Sequence, residues 1–417
     1  MLSLESTEWI IESLLDTDFY KFTMGNLVWK RYPDVPVRYA LTLRTKGVNL
    51  AAVIDEQELR KELDHVRTLR FNKTELHYLR GTNEYGDRMF GEGYLEFLAA
   101  LQLPEYFLKR VESGFILEFP GKWSEAIYWE TFALSIVNEL YYRTFLRKMS
   151  KFERQVVAAE GIRRLAEKIR ILKEHPEVTF CDFGTRRRFS RACQDYAVGV
   201  LAKELSPLQF LGTSNTLLAM NYAITPMGTS AHEMFMAMSG ITHGSDEEIR
   251  ASHNQVLRDW WDEYGQGLSI ALTDTYGTDF FFRDMTPEQA RDWKGLRQDS
   301  GDPIMFGERA IQFYLRCGVD PREKLLVFSD GLDVLQMIKI AGRFMDQIRV
   351  TFGWGTNLTN DLGFAALSLV VKLIEANGWG TVKLSDNIAK AVGDPRDVEM
   401  FVRIFEYRST FNVQPHY

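Results

Sequence analysis

The chain has 417 residues, of which 45% are hydrophobic and 26% are charged, and its formal net charge is −7 at pH 7. This composition is that of a globular protein with enough apolar material for a large core, and the length predicts two domains or one barrel with a substantial addition. The negative net charge argues against nucleic-acid binding as the main function, because affinity for a phosphate backbone needs clustered cations.

The cysteine content and the hydropathy pattern indicate the cellular compartment of the protein. Cys181, Cys193 and Cys317 are far apart and odd in number, which fits neither a zinc motif nor a disulfide framework and favours a reducing environment. The first residues are acidic and lack the order of a signal peptide, and no run approaches the roughly 18 apolar residues of a membrane span. We therefore expect a cytoplasmic protein that does not associate with membranes.

The first part of the chain predicts an α/β domain. Short β-like runs and helical stretches alternate at first, and residues 124–175 then follow a strongly helical pattern. Apolar residues recur every three or four positions from Ile162 to Leu172, and Pro176 follows the end of this pattern. We predict an N-terminal α/β domain over residues 1–125 with a helical connection to about residue 175; whether C-terminal residues join this domain stays open.

Short apolar runs alternate with amphipathic helical segments after Pro176, and each run ends in small or charged residues. The runs with their ends read VTFCDFGTR, LQFLGTS, ITPMGTS, LSIALTDTYGT, GLRQDSGDP, LLVFSDGLD and IRVTFGWGT, and VVKLIEA is a candidate for an eighth. Repeated strand–loop–helix units predict a parallel sheet with right-handed crossovers. We therefore predict an irregular, TIM-like β/α barrel over residues 176–390, in which the strand ends converge on one mouth.

The segment GTSAH places His232 at the predicted start of a helix. Taken alone, a histidine in this position is more often structural than catalytic. Gly228, Thr229 and Ser230 can offer backbone N–H groups to an anion, however, and an imidazole can carry a proton or attack a phosphoryl group. Zinc hydrolysis through HEMFM is excluded, because Met236 stands where a zinc-protease motif needs its second histidine.

Charged residues end two later runs. Asp274 is either a helix cap or a carboxylate at the barrel mouth that orients His232. Arg297 and Asp299 are two positions apart on an extended segment, so their side chains point to the same face. The guanidinium suits a phosphate or carboxylate, and the aspartate suits sugar hydroxyls. Asp302 is interpreted as a turn residue before the next helix.

The first apolar run, VTFCDFGTR, ends in an aromatic residue that is followed by several arginines. Phe183 offers a flat surface for an aromatic ligand, and Arg186 offers a cation just beyond the glycine. Arg187, Arg188 and Arg191 are interpreted as charges on a helix surface, as is usual for a charge run.

Glycine-rich ends follow the last two runs, with Asp330 in the first and Gly353, Gly355 and Thr356 in the second. Such loops near the last strands of a barrel commonly bind a phosphate through backbone amides. Neither loop matches a Walker A or a dinucleotide-binding pattern, so ATP use through a P-loop is unsupported.

Together these segments resemble the nicotinate phosphoribosyltransferases, a family of type II phosphoribosyltransferases. The resemblance runs from about residue 14 to 395 and is carried, in the family order, by LLDTDFYKFTMGN, DFGTRRRFS, FLGTSNTLLA, TPMGTSAHE, TDTYGTDFF, RQDSGDP, FSDGLD, FGWGTNLTND and KLSDN. It implies an irregular α/β barrel joined to a mainly N-terminal α/β domain.

The resemblance also implies an activity. Members of the family join nicotinate to 5-phosphoribosyl 1-pyrophosphate and form nicotinate mononucleotide and pyrophosphate. ATP is the implied co-substrate, and its hydrolysis is coupled through transient phosphorylation of the histidine that corresponds to His232, which Asp274 would steady. Mg²⁺ is the implied cofactor, although the motifs do not identify its ligands.

The base-binding residues follow from the same resemblance. Tyr20 and Phe183 would clamp the pyridine ring, and Arg186 would pair with the carboxylate of the base or hold it near the clamp. Nicotinamide-using relatives carry Asp at the position of Ser214. Because Ser can donate to a carboxylate that Asp would repel, nicotinate is favoured, with nicotinamide phosphoribosyltransferase as the alternative.

The residues for the phosphoribosyl group are implied likewise. Arg297 would contact phosphate, and Asp299 and Asp330 would contact the ribose. Gly355-Thr356 would bind the 5-phosphate, and Lys390 would reach the pyrophosphate.

The loop before Lys390 departs from the family pattern. The usual SD-x-PGK is here SDNIAK, in which Ile388-Ala389 replaces Pro-Gly. This change alters the flexibility of the loop and its access to positive φ, so the role of Lys390 depends on where the loop places it.

A non-catalytic barrel that senses nucleotides is the alternative from a different class. Intact His232, Asp274, Arg297 and Asp299 argue against it. In relatives the tyrosine that corresponds to Tyr20 can come from a partner subunit, so the resemblance is compatible with a homodimer.

Overall fold

The computed structural model describes residues 2, 4, 9–84 and 86–408. Among these residues, no helix is both long and apolar enough to cross a membrane. The α-helices, in chain order, are α1 (Tyr20–Arg31), α2 (Leu50–Val53), α3 (Glu56–Thr68), α4 (Lys73–Gly81), α5 (Glu92–Ala100), α6 (Trp123–Ala126), α7 (Trp129–Arg147), α8 (Lys151–Glu174), α9 (Arg191–Glu204), α10 (Thr216–Tyr222), α11 (His232–Ile241), α12 (Asp246–Tyr264), α13 (Thr278–Asp284), α14 (Pro287–Asp292), α15 (Pro303–Arg316), α16 (Val334–Phe344), α17 (Thr356–Thr359) and α18 (Pro395–Ile404).

The strands, in chain order, are β1 (Pro36–Leu43), β2 (Asn83–Glu84), β3 (Asp87–Arg88), β4 (Phe107–Val111), β5 (Gly114–Lys122), β6 (Phe180–Asp182), β7 (Phe210–Thr213), β8 (Ile270–Leu272), β9 (Gly295–Gln298), β10 (Leu325–Phe328), β11 (Arg349–Trp354), β12 (Leu369–Ala376) and β13 (Trp379–Gly380). Short 3₁₀ helices lie at Thr185–Arg187, Pro321–Glu323 and Ile388–Lys390.

An antiparallel sheet organises the N-terminal region, with the strand order β13-β12-β1-β5-β4. Its central strand, β1, pairs with β12 from Val37 opposite Ala376 to Leu43 opposite Leu369, and with β5 along its other edge. A strand from the C-terminal part of the chain therefore completes the N-terminal sheet.

The expectation that VVKLIEA forms an eighth strand of a barrel is wrong, because these residues lie in β12 of the antiparallel sheet. Asn377 and Gly378 follow with φ values of 53° and 81°, and they form the two-residue loop between Ala376 and Trp379, which are paired. Such loops join antiparallel neighbours. The apolar run predicts a buried strand, but it does not reveal which sheet the strand joins.

A parallel sheet forms the second layer, with the strand order β7-β6-β11-β10-β9-β8. The register of its central strands is regular; for example, Leu325–Phe328 pairs with Gly295–Gln298 on one side and Arg349–Phe352 on the other. The register shifts between β6 and β7, at Phe180 and Cys181. Six of the seven predicted runs supply these strands. The other run, ITPMGTS, forms one parallel bridge, between Pro226 and Thr213.

The fold is thus a mixed α/β fold with one parallel and one antiparallel sheet. Within the described residues, β7 and β8 are the outer strands of the parallel sheet, so the predicted closed barrel is not confirmed. One continuous apolar core joins the two regions, and Trp129, Trp260 and Trp354 are fully buried in it.

Side-chain caps set several helix starts. Ser150 and Glu153 form a capping box at the start of α8, which satisfies backbone N–H groups that have no partner within the helix. Asp302 accepts a hydrogen bond from the backbone N–H of Met305 at 2.8 Å, and Pro303 begins α15. The interpretation of Asp302 as the residue before a helix is confirmed.

Arg188 is buried, contrary to the expectation that it lies on a helix surface. Its Nη1 and Nη2 atoms donate to the two carboxylate oxygens of Asp16 at 2.6 and 2.7 Å. This bidentate pair fixes the segment before α1 against the loop after β6. The arginine run does not reveal the pair, because its acidic partner is 172 positions away in the sequence.

We expect Asp16→Asn to lower the free energy of unfolding by about 3 kcal/mol, because a buried guanidinium is left without its counter-charge. Burial opposes ionisation of Asp16, but Arg188 holds its pKa below the ordinary value. The contribution is therefore present above the pKa of an unfolded aspartate and is lost as the pH falls below it. Urea unfolding should show a smaller difference between wild type and variant at about pH 3 than at about pH 7; an equal difference would contradict this.

Candidate active site

A cavity of about 390 Å³ lies at the carboxyl ends of the parallel strands, and β12 of the antiparallel sheet forms part of its opposite wall. Most of the predicted site residues line this cavity, namely Tyr20, Phe183, Arg186, Ser214, His232, Arg297, Asp299, Asp330, Gly355, Thr356 and Lys390. Asp274 lies behind His232 and is 1% exposed. The carboxyl ends of parallel strands share one edge, which is why segments so distant in sequence meet here.

Aromatic and cationic side chains form one end of the cavity. The guanidinium of Arg186 lies 5.6 Å from the centroid of the Tyr20 ring, within the range of a cation–π contact. Tyr20 begins α1 of the same chain and is 8% exposed. Phe183 follows β6, and its ring packs on Gly353, where a Cβ atom would lie 2.3 Å from the ring.

The hydroxyl of Ser214 is already engaged, by a residue that the motifs do not single out. Ser214 Oγ donates to Asp18 Oδ1 at 2.6 Å, and the other oxygen of Asp18 lies 3.4 Å from Arg186 Nε. Burial raises the pKa of Asp18 although Arg186 opposes this effect. A base that enters this end of the cavity therefore meets a serine, a carboxyl group and a guanidinium together.

His232 lies in a cluster of charged and hydroxyl groups. Its Nδ1 is 3.0 Å from Thr275 Oγ1, and its Nε2 is 2.9 Å from Asp299 Oδ2 and 2.8 Å from Lys383 Nζ. Burial, followed by the positive charge of Lys383, lowers the pKa of His232 to about 4. The imidazole is therefore neutral near pH 7, as a nitrogen nucleophile must be.

The contact of Asp274 with His232 differs from the expected one. Its Oδ1 is 3.7 Å from Nε2, beyond hydrogen-bond distance, and Thr275 occupies the other ring nitrogen. Its Oδ2 accepts from Ser300 Oγ at 2.5 Å and from Ser385 Oγ at 3.2 Å. Asp274 therefore acts on the imidazole through its charge, and Asp299 lies within hydrogen-bond distance of the ring instead.

The loop that departs from the family pattern still places its lysine in the cavity. Ile388–Lys390 forms a 3₁₀ helix, and the side chain of Asn387 accepts from the backbone N–H of Ala389 at 3.2 Å. Lys390 is 5% exposed and contacts Asp330 directly. A side-chain cap thus helps to shape this turn in a sequence that has no Pro-Gly there.

The sequence motifs do not identify two lysines in the cavity wall. Lys383 lies within the quoted segment KLSDN, and Lys372 interrupts the apolar run VVKLIEA. Burial lowers the pKa of Lys372 to about 7. A cation inside an otherwise apolar strand is the signal that identifies Lys372, because a buried ammonium is costly unless an anion faces it.

The cluster around His232 fits a magnesium site only in part. Ligand atoms of His232, Asp274 and Asp299 lie within 4.8 Å of one another. The ammonium of Lys383 is 2.8 Å from the imidazole and 3.8 and 3.9 Å from the two carboxylates, so it already supplies the cation of this cluster. Asp299 is partly exposed to the cavity and fits as one carboxylate ligand of a Mg²⁺ ion that also binds substrate phosphates.

Comparison with known proteins agrees with this geometry. The profile of the nicotinate phosphoribosyltransferase family matches residues 178–409, and the profile of the N-terminal domain of that family matches residues 15–138. A solved structure of nicotinate phosphoribosyltransferase from Vibrio cholerae is 31% identical, with a TM-score of 0.86, and the match covers 96% of this chain and 95% of that one.

Two further solved structures are similar over nearly the whole chain. Nicotinate phosphoribosyltransferase from Porphyromonas gingivalis is 30% identical with a TM-score of 0.84, and the match covers 95% of this chain and 100% of that one. A putative nicotinate phosphoribosyltransferase from Saccharomyces cerevisiae is 28% identical with a TM-score of 0.85, over 97% and 100% of the two chains. The profiles, the matching structures and the cavity agree: this chain belongs to the nicotinate phosphoribosyltransferase family and has the fold of a phosphoribosyltransferase enzyme.

Proposed function

We propose that this protein transfers the phosphoribosyl group of 5-phosphoribosyl 1-pyrophosphate to nicotinate, a step of NAD biosynthesis. The ring nitrogen of nicotinate forms a bond to C1 of the ribose, the bond from C1 to the pyrophosphate oxygen breaks, and nicotinate mononucleotide and pyrophosphate leave. The observation that carries the proposal is that one cavity, in a chain of this family, is lined by aromatic, cationic and carboxylate side chains suited to each part of the two substrates.

The reacting sugar carries positive charge as pyrophosphate leaves, so the site must stabilise a cation between anions. Asp299 and Asp330 face the cavity and offer negative charge near the ribose, and Arg297 and Lys390 offer positive charge to the phosphates. Fixed charges of this kind stabilise a transition state without reorganising when charge develops. Mg²⁺, when bound with the phosphates, would supply further charge neutralisation of the leaving group.

We propose further that ATP phosphorylates His232. The lone pair on Nε2 attacks the γ-phosphorus, the bond from that phosphorus to the β–γ bridging oxygen breaks, and ADP leaves with the oxygen. Nδ1–H donates to Thr275 Oγ1, which is 3.0 Å away and holds the reactive tautomer. Lys383 and Asp299, at 2.8 and 2.9 Å, must both move away from Nε2 before it attacks, and Lys383 then contacts the phosphate oxygens. The carboxylates of Asp274 and Asp299 offset the positive charge of the phosphorylated ring.

One observation keeps nicotinamide as a second candidate base. The carboxyl group of Asp18 lies beside Ser214, and in its ionised form it would accept a hydrogen bond from an amide. Burial raises the pKa of Asp18 and so disfavours its charged form, however, which lessens the repulsion between Asp18 and the carboxylate of nicotinate. Arg186 adds a positive charge at the same end of the cavity, so we favour the acid.

Two measurements on the full-length protein test the proposal. The first compares kcat/KM for nicotinate and nicotinamide, with product formation followed by chromatography; a higher value for the amide would reverse the choice of base. The second measures acid-labile phosphate on His232 after incubation with ATP. Nucleotide binding without turnover of either base would show a sensor and contradict an enzyme.

Replacing Ser214 by aspartate should lower kcat/KM for nicotinate by about 100-fold or more, because a second carboxylate would stand beside Asp18 and repel the carboxylate of the base. The value for nicotinamide should fall less, so the ratio of the two should move toward the amide. Ser214→Ala is the matched control, since it removes the hydroxyl without adding charge. An unchanged ratio in the aspartate variant would contradict the placement of the base.

A further inference from the structure

A continuous series of buried ionic contacts connects the base end of the cavity to the start of α11. Glu130 Oε1 accepts from Arg186 Nη1 at 3.1 Å, and Glu130 Oε2 lies 2.8 Å from Lys21 Nζ. Lys21 Nζ also donates to Glu233 Oε2 at 2.6 Å, and Glu233 follows His232 in the first turn of α11. Lys21, Glu130 and Glu233 are all more than nine-tenths buried.

We propose that binding of a ligand at the base end of the cavity, beside Arg186, changes the position of His232. The coupling runs through Glu130, Lys21 and Glu233. They are positioning residues, because they act through Arg186 at one end and through the first turn of α11 at the other. The proposal rests on the proposed function, in which Arg186 holds the nicotinate carboxylate and His232 takes phosphate from ATP.

The coupling begins at Arg186, whose side chain is 36% exposed in the cavity. Its guanidinium is shared between Glu130 and Asp18, at 3.1 and 3.4 Å. A ligand carboxylate that binds this guanidinium competes with both residues. Glu130 then loses part of its interaction with Arg186 and depends more strongly on Lys21, which is already its nearer cationic partner.

Lys21 passes the change on, because its single ammonium is shared between two carboxylates. Burial opposes ionisation of Glu130, but Lys21 and Arg186 hold its pKa well below the ordinary value. The carboxylate of Glu130 is therefore charged at neutral pH. Charges in a buried network are weakly screened, and a change at one end is felt at the next member. A shift of Lys21 toward Glu130 weakens its contact with Glu233.

Glu233 is anchored so that its movement affects the helix. Its Oε1 accepts hydrogen bonds from Tyr39 Oη and from Trp123 Nε1, the latter at 2.8 Å. A carboxylate in the first turn also interacts favourably with the helix dipole. When the contact with Lys21 weakens, the balance of forces on this turn changes, and His232 lies in the same turn.

The test measures the rate at which acid-labile phosphate forms on His232 in a single turnover with ATP, with and without saturating nicotinate. We expect nicotinate to change this rate by about fivefold or more in the wild type. In Glu130→Gln and in Glu233→Gln, which keep the shape but remove the charge, the rates with and without nicotinate should be nearly equal. Glu139→Gln is the matched control, because Glu139 is equally buried on α7 but pairs with Arg143; it should retain the wild-type response.

The outcomes separate the two proposals. Absence of phosphate on His232 in the wild type would overturn both the ATP step and the coupling. Phosphate that forms at a rate independent of nicotinate would overturn the coupling alone, as would a Glu130→Gln variant that keeps the full response. If the glutamine variants do not fold, Tyr39→Phe replaces them; it removes one hydrogen bond to Glu233 and should reduce the nicotinate response in part, and an unchanged response would overturn the proposal.

Discussion

His232→Ala should reduce phosphate transfer from ATP to the protein by at least about 100-fold, to background. The variant lacks the imidazole nitrogen that we propose as the nucleophile, which in the wild type lies within hydrogen-bond distance of Asp299 and Lys383. The stimulation of product formation by ATP should disappear with it. Some uncoupled synthesis of nicotinate mononucleotide should remain, because the residues around the base and the ribose are intact. Radiolabelled γ-phosphate and product assays measure the two effects separately.

His253→Ala is the control for loss of a buried imidazole. His253 is 1% exposed and contacts Asp284 rather than the cavity. The control should retain phosphorylation by ATP. Full ATP coupling in the His232 variant, with the labelled phosphate found elsewhere in the chain, would show that the nucleophile has been misassigned.

Lys383→Met should change both the rate of phosphorylation and its dependence on pH. Removal of a cation that binds the transferring phosphate should lower the rate about 100- to 1,000-fold. In the wild type, burial and Lys383 lower the pKa of His232 to about 4, so the imidazole stays neutral from pH 8 to about pH 5. Without the ammonium, the effect of Asp274 and Asp299 on the imidazole is opposed mainly by burial, and the pKa of His232 should rise.

The Lys383 variant should lose phosphorylation rate as the pH falls. A raised pKa means that the imidazole of the variant takes up a proton as the pH falls, and a protonated ring has no lone pair for phosphorus. The rate of the variant should therefore fall as the pH is lowered from about 8 to about 6. In the wild type His232 stays neutral over this range, so its titration should not change the rate. Lys390→Met is the matched control, because Lys390 contacts Asp330; it should lower the rate without changing the profile. A flat profile for the Lys383 variant would contradict the assigned cause.

Much of the candidate site could be predicted from the sequence, because parallel strands place their carboxyl ends on one edge. The motifs at six strand ends therefore predict a shared site even though they span residues 182–356, and the cavity contains them. The same reasoning cannot identify Asp18 or Glu130. These residues lie outside the strand-end pattern, and only packing brings them against Ser214 and Arg186.

The partner of a buried side chain is also set by tertiary structure. A run of arginines is usually a solvated surface, yet Arg188 is buried because Asp16 reaches it from the N-terminal segment. Likewise, the apolar pattern predicts β12 as a strand but cannot choose its sheet, since periodicity describes one strand and not its neighbour. The Asn377-Gly378 turn is the local feature that indicates the antiparallel partner.

The sequence by itself determined the family, the strand-end motifs and most of the residues that line the cavity, because these depend on local pattern and on a fixed order of segments. Only the tertiary structure decided which groups surround His232, where Lys383 and Asp299 lie within hydrogen-bond distance of Nε2 and Asp274 does not. It also decided that Lys21 joins Glu130 to Glu233. The physical reason is that the strength of these interactions depends on interatomic distance, to within tenths of an ångström, and on burial. The spacing of residues along the sequence determines neither.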